Sequence, residues 1–405
     1  MGGNNLTFNY ITIALHLWSD LFFTLNTITF KIYNSIATLP SLWDTVAQSN
    51  VFLQTPYLSV LERSAPVNME CFYIGIFEGS ELIGVSLAQY LDLNKLESFG
   101  ERDKCFKTAI RNFIFKNFAS HTLFLGNNMI TGQNGYVFSK QIDFECISEI
   151  LLQSSEEITQ YFKNKGIKIH LVSFKDFYED CSVELKKYRF KNTYEFNTQP
   201  NMIFYLDKNW KTVADYFNVL SKKYRDQYKR AHKKFDGIVV KNLSFEEVLL
   251  HENTIYDLYH YVAKNAPFNT FFLAKNHFST LKGQCGKRFQ IFGYFLNEKL
   301  VGFHTLLLND ETLETYFLGY DESIQKENML YLNMLYNMTT YGIENGFKRI
   351  IFGRTALEIK SSIGAKPVNM SGFIFHNNKL INRFIGNIFK QLEPKLNWQV
   401  RHPFK

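Results

Sequence analysis

Cysteine is scarce. The 405 residues contain five, Cys71, Cys105, Cys146, Cys181 and Cys285, an odd number with no C-x-x-C pair. A disulfide framework is excluded, and the thiols read as buried apolar groups in a reducing compartment. None of the ten histidines lies near another His or Cys at zinc-ligand spacing, so no metal site is expected. Charged residues make up only 20% against 46% apolar, which excludes a disordered chain. The sequence lacks G-x-x-x-x-G-K-[ST], G-x-G-x-x-G after a strand, G-x-S-x-G and H-E-x-x-H. P-loop, dinucleotide, serine-hydrolase and zinc-protease chemistries are therefore set aside. Long apolar runs are missing too. Within Leu6 to Ile36, Asn9, His16, Asp20 and Asn26 interrupt before about 20 apolar residues accumulate. The first basic residue is Lys31, so no charged leader precedes that run. A cytoplasmic protein is expected, with peripheral contact at the inner face of the membrane, through a membrane-grazing N-terminal helix, as the alternative.

Aromatic side chains are plentiful, with 40 Phe and 23 Tyr. Asn, Lys and Ile are abundant as well, so a general compositional drift accounts for the aromatics, which are read as core rather than as stacking platforms. The net charge of +7 is unevenly spread: residues 1–198 hold 17 Lys+Arg against 20 Asp+Glu, whereas residues 199–405 hold 28 against 18. An anionic ligand is expected on the second half. At roughly 150 residues per domain, the length predicts two or three domains.

An order of elements occurs twice. Phe72 to Glu78 and Glu81 to Tyr90 predict a hairpin around Gly79-Ser80, followed by a strand at His121 to Gly126, a helix at Ile147 to Lys165 and a strand at Ile167 to Phe174. In the second half Phe289 to Leu296 and Lys299 to Leu308 flank Asn297-Glu298. They are followed by a strand at Leu313 to Gly319, a helix at Glu327 to Asn345 and a strand at Phe347 to Phe352. IFEGSELIGVSLAQY (76–90) aligns with YFLNEKLVGFHTLLL (294–308), and TLFLGNN (122–128) with TYFLGYD (315–321), so that Gly84 lies over Gly302 and Gly126 over Gly319. Two matches in the same order predict a tandem duplication of one α/β unit. The division is an N-terminal extension (1–34), a first unit acting as scaffold (35–205), a second, catalytic unit (206–380) and a C-terminal helix or tail (381–405).

Between the copies, Thr212 to Phe235 predicts one amphipathic helix stopped at Asp236-Gly237, with Phe217, Leu220, Tyr224, Tyr228, Ala231 and Phe235 as its apolar seam. Seven of the thirteen residues from Lys222 to Lys234 are Lys or Arg. A solvated face is the plain alternative, but a solubilising face would interleave acids.

The repeated unit resembles the core of GNAT acyltransferases, and its duplication resembles the double-GNAT FemAB-like proteins of bacterial cell-envelope and peptidoglycan synthesis. The residues that carry this are FLQTPYLSVLE (52–62), the hairpin with Gly84, LSKKYRDQYKRAHKKF (220–235), YFLGYD (316–321) and FGRTALEIKSSIGAKP (352–367). The resemblance covers roughly residues 35–376. It implies α/β domains with mixed sheets, and no permanently bound cofactor. An acyl donor, acetyl-CoA or another acyl-CoA, or aminoacyl-tRNA, would lie between splayed strands. On this sequence the splayed strand is Leu313 to Gly319, with Leu318, Gly319, Gln325 and Asn328 as donor-binding positions in and before a phosphate loop at Glu322 to Asn328. That loop departs from the R/Q-x-x-G-x-G/A pattern of the GNAT family, since Gln325 to Leu330 reads Q-K-E-N-M-L, without glycine.

Candidate site residues follow from chemistry and placement. Arg354 and Lys360 lie past a strand's carboxyl end, where α/β folds put their sites, and Arg354 could clamp an anion or else pair with Glu358 at i, i+4. Lys222 and Arg225 open the basic helix and are assigned to anion binding. His304 is the candidate base, against the plainer reading of a core histidine. Tyr320 and Asp321 are candidates for acid and orienter, against a plain turn. The function expected is acyl or aminoacyl transfer to an amine on an anionic envelope or lipid-linked precursor, with tRNA and the membrane surface as implied partners. The alternative is a non-catalytic module that binds RNA or an anionic membrane through residues 222–234.

Overall fold

The computed structural model describes residues 28–48, 50–95, 118–266, 269–392 and 398–405. The readings made on the N-terminal apolar run up to residue 27, and on Cys105, lie outside those residues.

The first half contributes β1 (Ile28–Tyr33), a hairpin of β2 (Met69–Glu78) and β3 (Glu81–Asp92), β4 (His121–Leu125), β5 (Tyr136–Phe138), helix α1 (Phe144–Asn164) and β6 (Leu171–Tyr178). Two short strands, β7 (Tyr194–Asn197) and β8 (Asn201–Tyr205), straddle the middle of the chain. Then come α2 (Val213–Val219), α3 (Lys222–Lys234), β9 (Ile238–Asn242), α4 (Glu252–Lys264), α5 (His277–Cys285), a hairpin of β10 (Phe289–Leu296) and β11 (Lys299–Asn309), and β12 (Thr312–Tyr320). The chain continues through α6 (Glu322–Asn328), α7 (Leu330–Glu344), β13 (Arg349–Gly353), α8 (Leu357–Ser361), β14 (Lys366–Val368) and β15 (Met370–His376) to a last helix, α9 (Ile385–Leu392).

The duplication is visible in backbone detail. Each hairpin closes with a two-residue turn, and in the second both Asn297 and Glu298 have positive φ, as a type I′ turn requires. Each hairpin also carries a register shift at the same point, beside the pairs Ile76↔Gly84 and Tyr294↔Gly302. Equivalent bulges at equivalent glycines are expected of two copies of one unit.

The strands assemble into two mixed sheets, ordered β1-β2-β3-β4-β6-β15-β7, with β5 added to β3, and β14-β8-β13-β12-β11-β10-β9. The sheets do not follow the sequence division at 205/206. β15, from the end of the second half, lies between β6 and β7 of the first sheet, and β8 lies between β13 and β14 of the second. Residues 28–33, placed in the extension by sequence, pair as β1 with β2 from Tyr73 to Glu78. The two units also share a core, in which Phe52 and Leu58 of the first pack in one cluster with Phe278, Leu281 and Phe303 of the second.

Two helices differ from the sequence expectation. The single helix expected at Thr212 to Phe235 breaks at Leu220, which is extended (φ −62°, ψ 143°), because the C-terminal tail docks there: Ser221 N donates to Pro403 O (2.8 Å) and Lys405 N to Val219 O (3.1 Å). The helix expected from Glu327 starts at Leu330, after a left-handed Met329 (φ 48°). The segment Glu322 to Asn328 is α6 rather than a phosphate loop, because Asp321 caps it, accepting from Ser323 N (3.0 Å).

Candidate functional site

β12 and β13 run parallel but pair only over Thr312–Glu314 and Arg349–Ile351, after which β12 continues to Tyr320 alone on that side. Beyond the carboxyl ends of the diverging pair lies a cavity of about 680 Å³. Lys223, Tyr224 and Gln227 of α3 line it, with Met329 and Leu332 at the start of α7, Thr355 to Ile359 and Ser362 after β13, and Gln199, Trp398 and Arg401. A carboxyl-end crevice is where open α/β sheets bind ligands.

The turn that carries Thr355 to Ile359 to this cavity is unusual. Gly353, Thr355 and Ala356 all have positive φ (70°, 69° and 46°), and a β-branched residue in that region is strained. Lys360 stabilises the turn from beneath. Its Nζ donates to Phe352 O (2.7 Å) and Arg354 O (2.7 Å), with Gly353 O at 3.4 Å. The side chain is buried and has no carboxylate partner among the described residues, and burial pulls its ammonium down to about 7. On the cavity wall, Gln227 Nε2 donates to Tyr336 Oη and Ser362 Oγ (both 3.1 Å), and Glu358 pairs with Arg401.

The residues singled out by sequence are distributed differently from that expectation. Arg354 lies at the contact between the two units. It pairs with Asp176, a buried residue with φ 65° in β6, and not with Glu358. Asp176 Oδ2 is 2.5 Å from Lys175 Nζ, which donates to Asn127 O (2.8 Å) and Ile130 O (3.0 Å). Burial and Arg354 hold the Lys175 amine well below the usual lysine range, while Arg354, lowered by burial to about 10, stays charged. Asp176 is therefore held between the Arg354 guanidinium and the Lys175 amine.

His304 is a core residue. Its Nδ1 is 2.8 Å from Tyr294 Oη, which also accepts from Asn337 Nδ2 (3.1 Å), its ring stacks on Phe292, and burial pushes it down to about 3. Tyr320 packs against Tyr331, and Asp321 caps α6. Leu318 packs into the core of the second unit. Gly319 is needed for packing, since a Cβ there would sit 2.5 Å from the Leu258 carbonyl carbon and the Tyr259 nitrogen of α4. Asn328 Nδ2 donates to Lys234 O (3.0 Å) at the end of α3, and Gln325 lies on α6 one turn before it. Lys222 is exposed, and Arg225 donates to Leu220 O (2.5 Å) at the helix break. None of these eleven side chains lines the cavity. Their neighbours do: Lys223 beside Lys222, Met329 beside Asn328, Ile359 beside Lys360.

Sequence reasoning missed Tyr224 and Gln227 as site residues, and Trp398 and Arg401 altogether. Tyr224 was visible only as part of the apolar seam. The aromatic and basic ending WQVRHPFK was the one signal for the other two.

Among the described residues, the equivalent position of the first unit is closed. Lys175 ties the loop at Asn127 and Ile130 across the equivalent position. The void left there, beside Ser86, Gly135, Tyr136 and Phe177, is about 10 Å³, room for at most one water.

No sequence family matches the chain, and no curated protein is similar to it in sequence. Similarity appears in structure. The solved structure of FemX matches with a TM-score of 0.53 at 13% identity, over 88% of this chain and 100% of that one. A tandem GNAT protein from the clavulanic acid biosynthesis pathway matches with a TM-score of 0.47 (10% identity, 86% of this chain, 98% of that one). L-PGS from Bacillus licheniformis matches with 0.43 (11% identity, 83% and 96%). The repeated hairpins, the splayed parallel pair and the match to FemX along its whole length lead to one structural conclusion: this chain has a tandem GNAT-like fold.

Proposed function

We propose that the protein is an acyl- or aminoacyltransferase whose second unit binds the donor and whose first unit is a scaffold. The observation that carries this is the contrast between the carboxyl ends of the two parallel pairs: a 680 Å³ cavity beyond β12/β13, and, among the described residues, a void of about 10 Å³ beyond β4/β6. In this reading the donor's acyl carbonyl lies near the divergence of β12 and β13. The acceptor amine attacks it, the ester or thioester bond breaks, and the ammonium proton passes to solvent or the leaving group. No histidine lines the cavity, and alignment of the two reactants is what the site supplies.

The start of α7 favours aminoacyl-tRNA over coenzyme A as donor. A pyrophosphate needs free N–H groups at a helix N-terminus. Here no side chain caps the first N–H groups of α7, but Leu330 is fully buried and no glycine in Gln325 to Leu330 lets a pyrophosphate approach the backbone closely, while Asp321 takes the first N–H groups of α6. The acceptor in this reading is an amine on an anionic cell-envelope or lipid-linked precursor. Incubation of the purified protein with acetyl-CoA, longer acyl-CoAs and charged tRNA, followed by mass spectrometry, tests the proposal. Binding or turnover of one donor is expected, and neither with any donor refutes it.

A second reading draws on the outer face of α3. Lys222, Lys229, Arg230, Lys233 and Lys234 are exposed, and no carboxylate pairs with them among the described residues. That face would hold the body of an RNA, with or without catalysis. RNA affinity that is independent of salt would refute it.

A further inference from the structure

Helix α9 packs on β7, the last strand of the first sheet, through an inner face that is already complete. Ile385 is buried in a cluster with Ala119, Leu171 and Ile374, and Phe389 meets the rings of Tyr194 and Phe196 (6.2 and 6.1 Å between centroids). Gly386 lets Tyr194 approach, since a Cβ there would come within 2.9 Å of that ring. The helix and the single turn before it, Lys379–Asn382, are nevertheless apolar on a second side. Leu380 is 77% exposed and Phe384 57%. Arg383 between them is right-handed helical, Arg383 N donates to Lys379 O (3.2 Å), and Ile388 N donates to Phe384 O (3.1 Å). Leu380, Phe384 and the half-buried Ile388 therefore follow one another at four-residue spacing along the outside. Phe118, 40% exposed, adjoins the start of this stripe, its carbonyl 3.0 Å from His376 Nε2.

The charge around the stripe is of one sign. Lys379, Arg383 and Lys390 are exposed, residues 376–392 contain no Asp or Glu, and no carboxylate pairs with these three among the described residues. The exposed Lys168 joins them from the segment before β6, which Asn377 Nδ2 ties down at Ile169 O (3.0 Å). Glu195, on the strand beneath α9, is taken by Lys186.

We propose that this face of the first unit docks on the surface of an anionic phospholipid bilayer. A helix lying in the plane of a membrane buries an apolar face at the headgroup boundary and sets its cations against anionic headgroups. Here the stripe supplies the wedge and the rim supplies the charge. An RNA would engage the cations and leave Leu380 and Phe384 in water, and an apolar protein partner would leave the cations unanswered; a bilayer uses both. Helix α3, where the sequence placed membrane contact, is built differently. Its cations are exposed, but Tyr224 and Ala231 are buried and Phe217, Tyr228 and Phe235 pack on the core of the second unit, so it has no wedge. The inference concerns the first unit and stands apart from the donor reading. It gives the scaffold a task of its own, to hold the molecule at a surface that presents lipid-linked amines.

Co-sedimentation of the full chain with vesicles of phosphatidylcholine alone, and of phosphatidylcholine and phosphatidylglycerol in equal parts, provides the test. It is run on wild type, L380S/F384S, K379Q/R383Q and, as a control on α3, K229Q/R230Q/K233Q. Wild type is expected to bind the anionic vesicles and to be released by salt. L380S/F384S should bind at least about tenfold more weakly, through loss of the buried apolar area. K379Q/R383Q should bind about 25-fold more weakly, a factor of about five for each cation near the surface. The α3 variant should bind like wild type. All the substituted side chains are exposed, and thermal midpoints equal to that of wild type show that the fold is kept. F384W adds a readout that needs no loss of affinity: its extra emission should be quenched by brominated lipid in the anionic vesicles. The proposal is overturned if wild type binds neither vesicle, if L380S/F384S binds as tightly as wild type, or if the α3 variant alone abolishes binding. It is equally overturned if wild type is a dimer that L380S/F384S converts to a monomer, since a second copy then covers the stripe. None of these outcomes bears on the donor reading, which stands or falls with the donor incubations.

Discussion

Lys360 is the most exacting test of how the cavity's turn is held. Its ammonium is buried under three carbonyls with no carboxylate nearby, and its pKa falls from the ordinary 10.5 to about 7. The unfolded chain therefore binds a proton between pH 7 and pH 10.5 that the folded chain has released, and stability rises with pH across that window. Each pH unit contributes about 1.4 kcal/mol. Between pH 7 and pH 9.5 the gain is about 3 kcal/mol, and below pH 7 the contribution of this group is flat. Urea unfolding of wild type and K360M at pH 6, 7, 8 and 9.5 isolates the effect, since methionine keeps the length and shape of the chain without titrating. The stability of wild type relative to K360M should climb by about 3 kcal/mol from pH 7 to pH 9.5. A difference that stays constant, or that grows as pH falls, would mean that Lys360 is charged in the folded protein across this range and that desolvation is not the controlling effect.

Other outcomes follow from the same geometry. D176A leaves the partly buried Arg354 guanidinium without its carboxylate and should cost about 1–3 kcal/mol in urea unfolding, against less than about 1 kcal/mol if the pair were solvated. G319A drives a Cβ into the α4 backbone and should cost about 1–3 kcal/mol, read as a lowered thermal midpoint. H304F should leave ligand binding in the cavity unchanged by calorimetry, because His304 faces Tyr294 and Phe292 in the core; a tenfold loss would return it to the site. Reversal of charge at Lys229, Arg230 and Lys233 should flatten the dependence of RNA affinity on log[salt], by up to about 0.7–0.9 per phosphate contact removed.

Much of the fold could be read from period and turn chemistry alone. The hairpins at Gly79-Ser80 and Asn297-Glu298 were legible because two-residue turns demand left-handed backbone, and the helix Phe144–Asn164 because its apolar face recurs at helical spacing. The break at Leu220 was not legible, because nothing local to Thr212–Phe235 causes it. A tail 180 residues further along the chain supplies the competing hydrogen bonds at Val219 and Ser221. The position of Arg354 was hidden for the same reason, since its partner Asp176 is distant in sequence and Glu358 stood at the tempting helical spacing. On α3 the charge count pointed to the segment, but helical phase decides which residues face inwards. Lys223 and Gln227, four apart beside the buried Tyr224, share the cavity side, while Lys222 turns to solvent. Charge asymmetry thus located a region and could not choose a face.

The exchanged strands have a consequence for how this chain must be made. A ribosome delivers β6 and β7 long before it delivers β15, which belongs between them. Throughout synthesis of the second half, the first sheet presents two unsatisfied edges, in a setting where open edges recruit stray strands. Neither unit can be completed first and set aside, and cutting the gene at the apparent repeat boundary would leave each product missing an interior strand. The molecule looks like two beads in sequence, yet it closes more like a clasp, which becomes secure only when its last part arrives.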